Sequence, residues 1–125
     1  MATERIKILV VDDCPTNRIL FEHIFSKEGF EVDLADGGQA ALDLWGPAHH
    51  AVVTDLQMPE MDGREMARAL RGRGCGIPII ACSAAGELKG SALDAGCNDF
   101  FGKPIDRRAL IDAVLHWVGV MAEAA

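Results

Sequence analysis

Two apolar runs in this chain stop abruptly in acid: Ile-Lys-Ile-Leu-Val-Val runs into Asp12 and Asp13, and Ala-Val-Val-Thr runs into Asp55. A run that is apolar at nearly every residue is the signature of a parallel strand buried on both faces. When such a strand ends in a carboxylate, its carboxyl end opens into the crevice where open α/β sheets bind ligands. Three carboxylates gathered there repel one another, and they either protonate in part or collect a hard cation such as Mg²⁺. Two later apolar runs deliver Ser83 and Lys103-Pro104 to the same kind of position, so the set reads as a phosphorylation pocket.

Apolar strand-like runs alternate with helix-like stretches five times, which argues for a parallel sheet covered by helices on both faces. The expected fold class is α/β, a doubly wound (βα)5 unit. Strands are expected over 6–11, 30–35, 51–54 and 77–82, with a short fifth at Phe100 and Phe101. Only one of these two phenylalanines is expected to face the core, and Phe101 is assigned to it by alternation. The first helix starts at Pro15, a residue suited to a first helical turn, and Gly29 is its expected C-terminal cap. Ala41, Leu42 and Trp45 recur at helical spacing in the second. Pro59, Asp62 and Gly63 shape a loop before a third helix over 64–71, and residues 72–76 read as a flexible connector. A fourth helix over 86–95 contains Gly90 and few large apolar residues, so it is expected to be the least stable and most mobile. Asp106 caps a last helix bearing Leu110, Val114 and Trp117 on one face, with residues 121–125 expected to fray.

At 125 residues the chain fits one domain, with its core over about 6–117. Its net charge of -7 and lack of any basic run argue against direct binding to nucleic acid or an anionic membrane, so protein partners are expected. No apolar stretch is long enough to cross a bilayer, and the first residues lack the apolar core of a secretory signal, which places the chain in the cytoplasm. Cys14, Cys75, Cys82 and Cys97 form no metal-binding spacing and read as reduced, largely buried thiols. Met58 and Met61 read as loop packing rather than a soft-metal site. His23, His49, His50 and His116 are scattered, and none lies in a phosphodonor context.

Val-Asp-Asp-Cys-Pro-Thr-Asn-Arg, Thr-Asp-Leu-Gln-Met-Pro-Glu-Met-Asp-Gly, Ala-Cys-Ser-Ala and Asp-Phe-Phe-Gly-Lys-Pro stand in an order and spacing that closely resemble the receiver domain of two-component signalling. That resemblance spans residues 6–117, and the strand order it implies for the (βα)5 unit is 2-1-3-4-5. It implies that Asp55 accepts a phosphoryl group from a partner histidine, on a histidine kinase or a histidine phosphotransfer domain. It further implies that Asp12, Asp13, Asp55 and the backbone carbonyl of Gln57 hold Mg²⁺, and that Lys103 pairs with Asp55 and then with a phosphoryl oxygen. Ser83 would follow the phosphoryl group and Phe100 would follow Ser83, changing the surface of the fourth helix, fifth strand and fifth helix for a downstream effector. A cis bond before Pro104 belongs to the same set. On this reading the domain catalyses its own phosphorylation and dephosphorylation and is not an enzyme acting on a separate substrate.

Taken singly, each residue has a plainer reading: Asp12 and Asp13 as helix-capping acids, Asp55 as a turn residue, Ser83 as a loop hydroxyl, Lys103 as a surface charge. The ordered set requires too many coincidences for those readings to hold jointly. One alternative is a pseudo-receiver that keeps the fold as an interaction module; nothing essential is missing from the set. Another is a Mg²⁺-dependent phosphohydrolase resembling the haloacid dehalogenases, but its Asp-x-Asp nucleophile lies on the first strand, and no cap insertion is present here. Asp-Gly-Gly-Gln-Ala-Ala-Leu-Asp-Leu-Trp and Gly-Cys-Asn-Asp-Phe-Phe-Gly-Lys-Pro-Ile are most similar to receivers of hybrid sensor kinases. In that case Ile19 and Pro104 would help dock a helical phosphotransfer partner. Gln57 and Ala85 occupy the positions that tune acyl-phosphate hydrolysis in the family.

Overall fold

The apolar runs form five parallel strands, β1 (Lys7–Val11), β2 (Glu31–Ala35), β3 (Ala51–Asp55), β4 (Ile79–Ser83) and β5 (Asp99–Gly102), in spatial order β2-β1-β3-β4-β5. The computed structural model describes residues 5–124. Between the strands run α1 (Pro15–Ser26), α2 (Gly38–Leu44), α3 (Gly63–Gly72), a 3₁₀ turn over Gly86–Leu88 continued by α4 (Lys89–Asp94), and finally α5 (Arg107–Ala124). The expected fold class and strand order are therefore those observed.

Side chains of the central strands alternate between two cores, as a pleated strand requires. Leu9, Val11, Val52, Ile79 and Ala81 pack with Leu42, Met66, Leu70 and Ala92 on one face of the sheet. Ile8, Val10, Val53, Ile80 and Cys82 pack with Phe21, Phe25, Leu110 and Val114 on the other. Because both faces are core, Phe100 and Phe101 are both half-buried, Phe100 against the first cluster and Phe101 against the second. Alternation sends the two rings to opposite faces, but with helices covering both faces each ring meets a core, so the expectation that Phe101 alone is the core member fails.

Three helices stop by the same device. Phe30 N–H bonds Phe25 O and Gly29 N–H bonds Ser26 O, with Gly29 at φ 90°, the left-handed paired arrangement that glycine supports. Gly74 repeats it after α3 and Gly96 after α4, at φ 88° and 111°. Residues 72–76 thus contain a specific helix stop that buries Cys75, where a flexible connector is expected. The fourth strand starts at Ile79, not Ile77, since Pro78 has no N–H to give the ladder. The expected fourth helix is split into the 3₁₀ turn and the six residues of α4, with Ala92 its buried anchor. Trp45 lies just past α2 as its C-cap. Asp106 Oδ1 accepts the Ala109 amide at 3.1 Å, as its capping role requires, and α5 stays helical to Ala124, through most of the tail expected to fray.

Candidate functional site

Strand order reverses between β1 and β3, so the crevice between their carboxyl ends is where the topology leaves room. β1 delivers Asp12 and Asp13, and β3 ends on Asp55. Val11 pairs with Thr54, Asp55 with Cys82, and Ser83 with Gly102, the residue before Lys103. That register brings Asp12, Asp55, Ser83 and Lys103 to one edge of the sheet.

Asp12 is fully buried, Asp13 exposed and Asp55 half-buried, and one carboxylate oxygen from each lies within 4.8 Å of the other two. Asp12 Oδ1 accepts the Cys14 amide at 2.9 Å, while Asp12 Oδ2 is buried with no hydrogen-bond donor. Burial pushes the Asp12 carboxyl above the usual carboxylate range and the Asp55 charge adds to this, against the Cys14 amide and Lys103. Lys103 Nζ lies 3.4 Å from Asp55 Oδ2 and 4.0 Å from Asp12 Oδ2. One ammonium thus faces two of the three carboxylates, Asp12 and Asp55.

An orphaned buried carboxylate oxygen beside two further carboxylates suits a hard, oxygen-seeking divalent cation such as Mg²⁺. Among the described residues this is the one grouping of metal-ligating side chains. Gln57 follows on the loop, exposed, its amide donating to Asp55 Oδ1 at a long 3.4 Å. Ser83 is fully buried and its Oγ accepts the Ala85 amide at 3.1 Å, while its carbonyl takes the Lys103 amide. The Lys103-Pro104 bond is cis, as the resemblance implies.

Three contributors to this site escape a reading of the sequence. Gly63 opens α3 directly beneath β3, where an added Cβ would stand 2.3 Å from Asp55 O, so any larger residue pushes the helix off the loop. Asp62, expected only as a loop former, caps that helix reciprocally with Glu65. Arg18, on α1, donates from Nη1 to Asp12 O at 2.8 Å. Asp62-Gly63 reads as part of a loop, and nothing in the local pattern sets Arg18 apart from any other helix arginine.

The remaining residues behave plainly. Cys75, Cys82 and Cys97 are buried, Cys14 is half-buried, and all four are free thiols; burial pushes Cys82 up to about 12 and Cys97 to about 11. Met58 is buried and Met61 packs over Gly38. His49, passed over in the sequence, is buried at the opposite end of the sheet and bonds Asp33. A cavity of about 280 Å³ beside the crevice is lined by Asn17, Leu20, Ile24, Lys103, Pro104 and Ile105; Ile19, on the same helix but outside that lining, is 66% exposed. No described helix is long and apolar enough to cross a membrane.

The response regulator receiver domain family matches residues 8–115. The sensor protein GacS of Pseudomonas syringae pv. syringae is 37% identical over 122 residues, covering 91% of this chain and 14% of that protein. The response regulator MprA of Mycolicibacterium vanbaalenii is 38% identical over 109 residues, covering 85% of this chain and 47% of the relative. The chain therefore spans less than half the length of either relative. Among solved structures, the Saccharomyces cerevisiae complex of the histidine phosphotransfer protein Ypd1 with the receiver domain of Ssk1 aligns with TM-score 0.86 at 28% identity, covering 98% of this chain and 94% of that one.

Proposed function

This chain belongs to the response regulator receiver domain family, and from that premise we propose that Asp55 takes a phosphoryl group from a phosphohistidine on a partner protein. The observation that carries the proposal is the cluster itself: three carboxylates within 4.8 Å and Lys103 Nζ 3.4 Å from Asp55 Oδ2, at the strand ends. In the transfer an Asp55 carboxylate oxygen attacks phosphorus, the P–N bond breaks, and the imidazole leaves with the bonding electron pair. Two anions must meet for this, so the site's task is electrostatic.

Asp12, Asp13, Asp55 and the Gln57 carbonyl would hold Mg²⁺, which when bound would supply positive charge to offset the repulsion between carboxylate and phosphoryl oxygens. Lys103 contributes a compact cation on a flexible stem, paired with Asp55 before transfer and with a phosphoryl oxygen after it. Ser83 Oγ, which accepts the Ala85 amide in this state, turns its hydroxyl to donate to the phosphoryl group and draws the 84–86 loop inward. Phe100 then follows, so the surface of α4, β5 and α5 differs between the two packings.

The donor is a histidine kinase or histidine phosphotransfer domain, seated on the cavity beside Ile19, Leu20 and Pro104. The likeness to GacS and to the Ypd1-bound receiver favours a relay receiver of the hybrid-kinase type, acting on the cytoplasmic side. The domain is a phosphoacceptor that catalyses its own modification. Incubation with acetyl phosphate and Mg²⁺, followed by intact-mass measurement, should add one phosphoryl group to the wild type and none to Asp55→Asn. A folded wild type that gains nothing from either acetyl phosphate or a phosphorylated donor domain would leave the pseudo-receiver reading in its place.

A further inference from the structure

We propose that Arg18 is a positioning residue for the divalent-cation site, acting through the peptide that joins Asp12 to Asp13; the inference rests on the proposed role of the acidic cluster. Its guanidinium Nη1 reaches back from α1 to donate to Asp12 O at 2.8 Å. Asp12 N is held by Ala35 O at 3.1 Å and Asp12 Oδ1 by the Cys14 amide, so Asp12 is fixed at its amide, carboxylate and carbonyl. Asp13 is different. Its side chain is exposed, and among the described residues none donates a hydrogen bond to its carboxylate. The direction in which Asp13 leaves the chain is set by the plane of the peptide before it, and Arg18 is the group that fixes that plane at the carbonyl oxygen. Without it the Asp12 carbonyl is free to rotate toward water, carrying the Asp13 carboxylate away from Asp12 and Asp55.

The charge of Arg18 makes this testable, because electrostatics alone predicts the opposite sign. A cation bonded to the backbone of a metal-ligating aspartate repels a divalent ion arriving nearby, so deleting only its charge would tighten metal binding or leave it unchanged. Deleting a group that orients a ligand loosens metal binding, by about tenfold at the low end for such partners.

Mn²⁺ is the probe, its free six-line electron paramagnetic resonance signal being titrated against the full chain. We expect Arg18→Met to weaken Mn²⁺ binding by about tenfold, while Arg18→Lys, which keeps both the charge and a donor able to reach the carbonyl, stays within about twofold of the wild type. Arg18→Gln, neutral and shorter, carries the same expectation as methionine should that variant not fold. Binding by Arg18→Met as tight as the wild type or tighter overturns the proposal and leaves the acidic cluster as the cation site. Equal weakening by lysine and methionine overturns positioning through the carbonyl. A wild type that binds no Mn²⁺, or binds it unchanged after Asp13→Asn, overturns the reading of the cluster and this inference with it.

Discussion

Lys103 Nζ rests 3.4 Å from Asp55 Oδ2, the contact that joins the end of β5 to the end of β3 across the crevice. An ammonium placed before the reaction needs no reorganisation when charge develops on the phosphoryl oxygens, and removing one such preorganised donor costs about 10²–10³ in rate. Lys103→Met is therefore expected to slow Mg²⁺-dependent phosphorylation of Asp55 by about a hundredfold while the far-ultraviolet dichroism is unchanged. Time courses of intact mass with acetyl phosphate check this, and a rate within about threefold of the wild type would remove Lys103 from the chemistry.

The acidic cluster is held together at a cost. Its oxygens lie within 4.8 Å, where a pair of like charges near the surface repels by about 1 kcal/mol or more. Asp13→Asn should stabilise the metal-free domain by about 0.5–1 kcal/mol, roughly 2–4 °C in melting temperature for a chain of this size. Mg²⁺ at ten times its dissociation constant should in turn raise the wild type by about 1.4 kcal/mol and leave the variant where it was. Thermal denaturation with and without Mg²⁺ measures both, and a variant that melts below the wild type without metal would show that the cluster is not strained.

These two effects also explain what the sequence could and could not disclose. β1, β3 and β4 are legible because both faces are buried, so each reads as continuous apolar residues, and the residues that end them stand out by contrast. Arg18 was not legible, because an arginine one turn into an amphipathic helix has the same pattern whether it meets water or a carbonyl. Gly63 hid for another reason: its need is steric, set by Asp55 O beneath it, and no local pattern encodes a neighbour eight residues away. Gly74 and Gly96 end helices through bonds to residues three and five positions apart, which composition makes look like slack chain. His49 looked like one of a scattered four, yet its Nδ1 accepts the Gly46 amide and its Nε2 faces Asp33.

Trp117 gives the switch an optical reporter. Its indole Nε1–H donates to Asp99 Oδ2 at 3.0 Å, and Asp99 Oδ1 accepts the amide of Phe100 at 2.9 Å, so one carboxylate joins α5 to the backbone of the residue proposed to move. Trp45 can be replaced by phenylalanine at little cost, since its buried Nε1 has no acceptor to lose. In a Trp45→Phe background, phosphorylation should shift the Trp117 emission, and Ser83→Ala should abolish the shift while mass spectrometry still finds the phosphoryl group. An emission unchanged on full phosphorylation would mean that Phe100 and β5 stay where they are.

Arg71 is expected to be among the costliest side chains to remove outside the core. Its guanidinium donates to Gly96 O, Cys75 O, Ile77 O and Asn98 Oδ1, tying the end of α3 to the loops that lead into β4 and β5. Truncation strands several half-buried carbonyls at once, each worth about 1 kcal/mol or more when left unmade. Arg71→Ala should lower stability by about 3 kcal/mol, and Arg71→Lys should recover less than half, because one ammonium cannot serve four acceptors. Urea denaturation settles it, with a loss under about 1 kcal/mol counting against the clamp.

The acid limb of the stability curve should depend on Asp33. Burial alone would push its carboxyl up, but the His49 Nε2 hydrogen bond at 2.8 Å and the Lys7 ammonium at 3.4 Å outweigh that and hold it below the usual 3.8. Asp62 is lowered likewise, burial being outweighed by the Arg64 side chain and the amides of Glu65 and Arg64. A carboxyl more acidic in the folded chain than in the unfolded one is protonated first in the unfolded state. Its stabilisation is therefore complete above pH 3.8 and is lost as pH falls through the folded value. Asp33→Asn keeps an acceptor for His49 but no charge, so it should melt roughly 2–4 °C below the wild type at neutral pH. That gap should close as the pH is taken from 4 toward 3, because the wild type loses there what the variant never had. A gap constant across that range would place the value of Asp33 in hydrogen-bond geometry and not in its charge.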